Sequence, residues 1–125
     1  MRQEELDWVR QIAKTLDDKK AFNIIAFDLG GCSSITDCVI VAEAEVSVHA
    51  RALMREVERV AKSAGKQLIH VDGLPECEWI VMDFFSVMVH IMTTEMRHRY
   101  SLEGIWSEGQ SIDLRLLHPE KRQSM

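Results

Sequence analysis

Glu78-Trp79-Ile80-Val81-Met82-Asp83-Phe84-Phe85-Ser86-Val87-Met88-Val89-His90-Ile91-Met92 is the stretch that decides the fold. Two short runs of β-branched and large apolar residues meet at Phe85-Ser86, which is the pattern of a β-hairpin. With Phe85 and Ser86 as the loop, Phe84 faces Val87 and Asp83 faces Met88. Continuing outward, Met82 faces Val89, Val81 faces His90, Ile80 faces Ile91 and Trp79 faces Met92. Side chains alternate along a strand, so this register sorts the residues onto two faces. Ile80, Met82, Phe84, Val87, Val89 and Ile91 share one face, which has no polar atom beyond a thioether and is therefore core. Phe85 is an unusual occupant of a two-residue loop, where Gly or Asn at positive φ is the norm.

The opposite face carries Trp79, Val81, Asp83, Met88, His90 and Met92. Two readings of it stand. Trp and Met are enriched at protein interfaces and a carboxylate beside them supplies orientation, so the face suits docking. Alternatively a helix covers it and the Asp and His are satisfied internally, since mixed sheets are often covered on both sides.

The chain has 125 residues, long enough for one domain with a real core. Its apolar share of 46% and charged share of 28% are ordinary for a globular protein. No apolar run reaches the roughly 18 residues of a membrane span. The N-terminal stretch with Arg2, Glu4, Glu5 and Asp7 does not resemble a signal peptide. Three cysteines, Cys32, Cys38 and Cys77, fit no zinc spacing, and their odd number suggests reduced thiols and a cytoplasmic location. The net charge of -5 disfavours a protein that grips phosphate backbones and predicts little direct nucleic-acid contact, while permitting a basic protein as partner.

Residues 3–18 read as an amphipathic helix with Leu6, Val9, Ile12, Ala13 and Leu16 on one stripe. An apolar strand follows over 22–29, then the loop Gly30-Gly31-Cys32-Ser33-Ser34, then a second strand over 38–42. Helical spacing returns over 46–64, with Gly65 as its stop. A third strand over 67–71 ends at the turn Asp72-Gly73-Leu74-Pro75. After the hairpin, Thr93 or Thr94 caps a short helix running to Tyr100, and 102–106 adds another turn. The order α-β-β-α-β-β-β-α predicts an α/β fold: a mixed sheet of about five strands with flanking helices. Residues 1–107 form the single domain, and 108–125 are expected to be a flexible tail.

Chemistry has one candidate location, Gly30 to Asp37. A Gly-rich turn followed by hydroxyls and an acid suits a phosphate and a metal. Nucleotidyltransferases place a Gly-Ser turn ahead of two carboxylates, but here Asp37 is followed by Cys38 and Val39, and two-metal chemistry needs both acids. The other reading is a tight strand connection with Ser33, Ser34 and Asp37 bonding backbone. The five histidines show no HExxH pair, so no metal or cofactor is expected. Cys32 or Cys38 as a nucleophile needs a His base brought near by the fold; otherwise each is a small buried hydrophobe. Arg97 and Glu103 read as partners in ion pairs within the molecule, with Tyr100 and Trp106 packed down the end of the sheet.

Several segments together resemble the ribosomal silencing factor (RsfS, Iojap-like) family. They are Asp17-Asp18-Lys19-Lys20-Ala21, Asp28, Ser33-Ser34-Ile35-Thr36-Asp37 and Val71-Asp72-Gly73. The hairpin adds Glu78 to Asp83 and Val87 to Ile91, and the set closes with Arg97-His98-Arg99-Tyr100-Ser101-Leu102-Glu103-Gly104-Ile105-Trp106. Two departures stand out. The family usually has Gly and Asp where this chain has Phe85 and Ser86. A Thr-Gly-Thr-Ser segment before the middle helix is replaced by Ala42-Glu43-Ala44-Glu45-Val46-Ser47.

The resemblance implies a nucleotidyltransferase-like fold without catalysis, hence no enzyme. It implies binding to ribosomal protein L-fourteen on the large subunit, steric blocking of small-subunit joining and repression of translation when nutrients are scarce. It also implies a docking surface around Trp79 and an ability to form homodimers. Joined to the residue-level reading, it gives Trp79 as the anchor, Val81, Met88 and Met92 as its apolar surround with His90 beside them, and Asp83 and Asp37 as charge contacts. The alternative is a nucleotide-binding or nucleotidyltransferase-like enzyme using the loop from Ser33 to Asp37.

Overall fold

The computed structural model of the chain describes residues 2–30, 36–100 and 109–116. Helix α1 spans Gln3–Asp18 and buries Trp8, Val9, Ile12, Ala13 and Leu16. Leu6, expected on that stripe, is only half-buried, and Trp8 fills its place. Glu4 and Glu5 lie in the first turn, where carboxylates complement the helix dipole. Strands β1 (Phe22–Asp28) and β2 (Cys38–Ala44) follow, then helix α2 (Ser47–Ser63). Gly65, at φ +72°, stops α2 in the left-handed conformation that glycine adopts without strain, and Lys66 N donates to Ala61 O at 2.8 Å.

Strand β3 (His70–Asp72) starts later than its apolar pattern predicts; the α2 end closes at Lys66, and Ile69 N donates to Asp83 O at 2.8 Å just before the strand. Strands β4 (Trp79–Asp83) and β5 (Val87–Thr93) form the hairpin. Helix α3 (Thr94–Arg99) is capped by the Thr93 hydroxyl, which accepts from Met96 N at 3.4 Å. Strand β6 (Gln110–Ser111) completes a sheet of six strands in the order β3-β4-β5-β2-β1-β6. Among the described residues only β2 and β5 pair in parallel, and every other pair is antiparallel.

The sheet therefore has one more strand than the sequence pattern predicts. Two residues are too few to carry a periodic signal, and β6 is defined by pairing with Phe27 and Asp28 of β1. It lies in the segment expected as a flexible tail. Leu114 just beyond it is buried, and Asp113 O accepts from Arg10 Nε of α1 at 3.0 Å.

The hairpin register is the one read from the sequence, from Trp79↔Met92 to Asp83↔Met88. Its apolar face is sealed: Ile80, Met82, Val87, Val89 and Ile91 are fully buried and Phe84 nearly so. α1 and α2 pack over that face, together with Cys38, Ile40 and Ala42 of β2 and Ala26 of β1. Central β2 is buried along all seven residues. Trp8 closes the core at the hairpin end, edge-on to Phe84 with ring centroids 5.6 Å apart.

Gly73 fixes where β4 begins. It sits at φ +103°, and a Cβ there would lie 2.1 Å from the Trp79 carbonyl oxygen. No helix among the described residues is long and apolar enough to cross a membrane.

Candidate partner-docking face

The second sheet face is built from cross-strand rows. One row runs His70, Asp83, Met88, Val39, Phe27, Ser111; the next runs Asp72, Val81, His90, Val41, Ile25; Trp79, Met92 and Glu43 follow. Among the described residues no long helix lies on this face. The short α3 folds back over the Trp79 end, which divides the face into a covered half and an open half.

In the covered half, Met92 is fully buried and His90 is 6% exposed. Val41 and Met92 form a small apolar cluster with Ile25, Trp79 and Met96 of α3. Trp79 is half-buried, its ring stacked at 38° on Tyr100 with centroids 5.5 Å apart. Its indole N–H donates to His90 Nδ1 at 3.0 Å. Burial holds the His90 ring well below the ordinary imidazole range, at about 4, so it is neutral near pH 7. Met92 and His90 thus belong to an inner layer rather than to a presented surface, which corrects the expectation for both. Trp79 is likewise packed and hydrogen-bonded within its own chain rather than standing free.

Beneath α3 lies a buried ionic group. Glu43, 4% exposed, accepts from Thr94 Oγ1 at 2.7 Å and from Asn23 Nδ2 at 3.0 Å. Arg97 Nη1 stands 3.8 Å from Glu43 Oε1 and also donates to the Asn23 carbonyl oxygen. Arg97 makes the internal ion pair anticipated for it, with a partner 54 positions earlier. Glu103 and Trp106 lie outside the described residues.

The open half carries Val81, Asp83, Met88 and Phe27, each partly exposed as Trp79 is, while Val39 between Met88 and Phe27 is fully buried. His70 and Asp72 are exposed at its rim, 3.0 Å apart through His70 Nε2 and Asp72 Oδ1. Phe27 belongs to this strip, and the sequence reading missed it. In the sequence it is one residue of an apolar strand, and only the antiparallel pairing of β1 with β2 shows which way it faces. Asp37 is exposed but stands apart from Trp79, beside the hairpin tip, where its backbone N–H donates to Ser86 O at 3.1 Å. β4 separates the two ends by about 13 Å, four residue steps of a strand.

At the tip, Phe85 adopts φ +76° and is 75% exposed. Asp83 Oδ1 accepts from the Phe85 N–H at 2.8 Å. Ser86 N closes back on Phe84 O at 3.0 Å, and Ser86 O accepts from Cys38 N at 3.0 Å. The Thr36 hydroxyl lies 3.0 Å from the same Ser86 oxygen.

Of the loop proposed for chemistry, residues 31–35 lie outside the described residues. Cys38 is fully buried, and its thiol is pushed up to about 12 by burial first and then by the charges of Asp28, Glu5 and Asp37. A thiol so placed is protonated at neutral pH and is no nucleophile. Among the described residues no group of three or more His, Cys, Asp or Glu is placed to hold a metal.

The family model described as "Ribosomal silencing factor during starvation" matches residues 2–125. A protein named ribosomal silencing factor RsfS from Haemophilus influenzae is 34% identical over 99 residues, 79% of this chain and 97% of that protein. One of the same name from Bacillus subtilis (strain 168) is 30% identical over 102 residues, 82% of this chain and 86% of that protein. A crystal structure of a protein from Chromobacterium violaceum superposes with a TM-score of 0.77 at 27% identity, covering 96% of this chain and 98% of that one. A match along nearly the whole chain assigns the family: the chain belongs to RsfS, the ribosomal silencing factors during starvation.

Proposed function

We propose that the chain represses translation by binding ribosomal protein L-fourteen on the large ribosomal subunit, where its bulk blocks joining of the small subunit. The docking surface is the open half of the second sheet face: Val81, Met88 and Phe27 supply apolar contact, and Asp83 and Asp37 supply charge. No catalysis is needed for this role, because occupancy alone does the work. One observation carries the assignment of the face. A partly exposed apolar strip flanked by carboxylates lies on the side of the sheet opposite α1 and α2, in a chain of net charge -5. Such a surface complements a basic protein, and opposite charge speeds encounter as well as fixing orientation.

Trp79 contributes from beneath. Its stacking on Tyr100 and its bond to His90 hold the strip flat, so its removal weakens binding through the fold. The test is sedimentation of purified large and small subunits with and without the protein. The expected result is co-sedimentation with large subunits and fewer joined ribosomes, both lost on Met88→Asp. Joining at the usual level with saturating protein overturns the silencing role, and unchanged binding by the Met88→Asp protein overturns the assignment of the face. Self-association through the same strip competes with this binding, and size-exclusion chromatography over a concentration range measures it.

A further inference from the structure

The hairpin tip is constructed in a way that neither the core nor the sheet requires. A two-residue β-hairpin favours Gly, Asn or Asp at its first loop position when that position has positive φ, because a larger side chain's Cβ there crowds the following carbonyl with no local polar bond to offset it. This chain places Phe85 at φ +76° and leaves the ring 75% exposed, so the strained backbone is not offset by burial. The geometry is held by the Asp83 carboxylate on the Phe85 N–H at 2.8 Å, and by Cys38 N and Thr36 Oγ1 at 3.0 Å and Asp37 N at 3.1 Å on Ser86 O. Strain that is held by its surroundings and displays a large apolar group belongs with contact sites rather than with folding.

The charges beside the ring specify what it meets. Arg2, Glu4, Asp37 and Lys66 share a cleft of about 280 Å³ with Phe85. Arg2 pairs with Glu5 at 3.6 Å, and Lys66 keeps its charge over the neutral Trp8 ring at 5.8 Å. Glu4 and Asp37 are exposed and make no ion pair among the described residues. Around the ring the carboxylates Glu4, Glu5 and Asp37 outnumber the cations Arg2 and Lys66, a balance that favours Lys and Arg over phosphate on a partner.

We propose that Phe85 is a docking residue that inserts into an apolar pocket on a basic protein of the large ribosomal subunit. This rests on the ribosome-binding reading and extends it past the sheet face to the hairpin tip. Phe85→Gly separates docking from folding, because the two respond with opposite sign. Glycine relieves the left-handed strain, so the thermal midpoint rises. Loss of the ring weakens binding to purified large subunits by about tenfold or more, as for an aromatic interface anchor. Phe85→Tyr retains both the ring and the binding.

Phe85→p-benzoylphenylalanine then identifies the contact by photocrosslinking on the large subunit. Attachment to a basic ribosomal protein is the expected result. Attachment to ribosomal RNA or to a second copy of this chain overturns the proposal, as does undiminished binding by the glycine variant. Wild-type protein that fails to sediment with large subunits removes the ribosome reading itself and this contact with it.

Discussion

The Trp79 indole donates to Nδ1 of His90 across 3.0 Å, with the two ring centroids 6.1 Å apart. An indole nitrogen can only donate, so Nδ1 accepts and the neutral His90 ring carries its proton on Nε2. Protonating Nδ1 would place a donor against a donor inside a site where His90 is 6% exposed. The pair therefore locks the tautomer of His90 and ties the covered half of the sheet to β4.

A pH dependence of stability follows. His90 titrates at about 4 in the folded chain and near 6.5 when unfolded. Between these values the unfolded state binds the extra proton, so stability falls as pH falls through that window and is fully present above it. The loss amounts to about 2 kcal/mol at pH 5. Urea unfolding at pH 7 and pH 5, compared with His90→Phe, isolates it. The variant is expected to lose less stability between the two pH values than the wild type, and equal losses would show that His90 is not the titrating group.

Truncating the other member has a different consequence. Trp79→Ala removes the stack on Tyr100 and the donor to His90, and costs about 2 to 3 kcal/mol of stability. Trp79→Phe keeps the stack and should recover about half of that. Binding measured well below both thermal midpoints is expected to fall only modestly. A large drop in affinity with unchanged stability would restore the indole to the role of a direct anchor.

The Trp79–His90 pair also marks how far the sequence could be read. The whole hairpin register was legible, because alternation over two apolar runs leaves one pairing that keeps Ile80, Met82, Val89 and Ile91 on one side. What covers the other side was not. The cover is α3 of Thr94–Arg99, too short to show a stripe, and its hold depends on Arg97 reaching a carboxylate at position 43. Nothing local announces such a pair, so Met92 and His90 read as surface when they are interior. Phe85 was visible as an odd loop residue, yet only its φ and exposure show what the oddity does.

The Arg97–Glu43 pair is expected to behave as a buried ionic contact. Arg97→Ala strands a carboxylate that is 4% exposed and costs about 3 kcal/mol. Combining it with Glu43→Gln removes the stranded charge and returns a large part of the loss. A double-mutant cycle in urea gives the coupling directly, and additive losses would mean that the pair is not coupled in solution.

Gly73 supplies the sharpest steric test. Its φ of +103° is reached freely only by glycine, and a Cβ would meet the Trp79 carbonyl oxygen at 2.1 Å. Either the turn or the first residue of β4 must shift, and Trp79 is that residue. Gly73→Ala is therefore expected to cost about 3 kcal/mol or more, since strain and overlap act together. The damage should spread through Trp79 to His90, visible as a red shift of tryptophan emission as the indole at position 79 gains solvent. Gly65→Ala is the control: that glycine also has positive φ but meets nothing within 4 Å, so only the smaller backbone penalty of about 1 kcal/mol applies. Equal destabilisation by the two substitutions would show that close approach to β4 is not what position 73 requires.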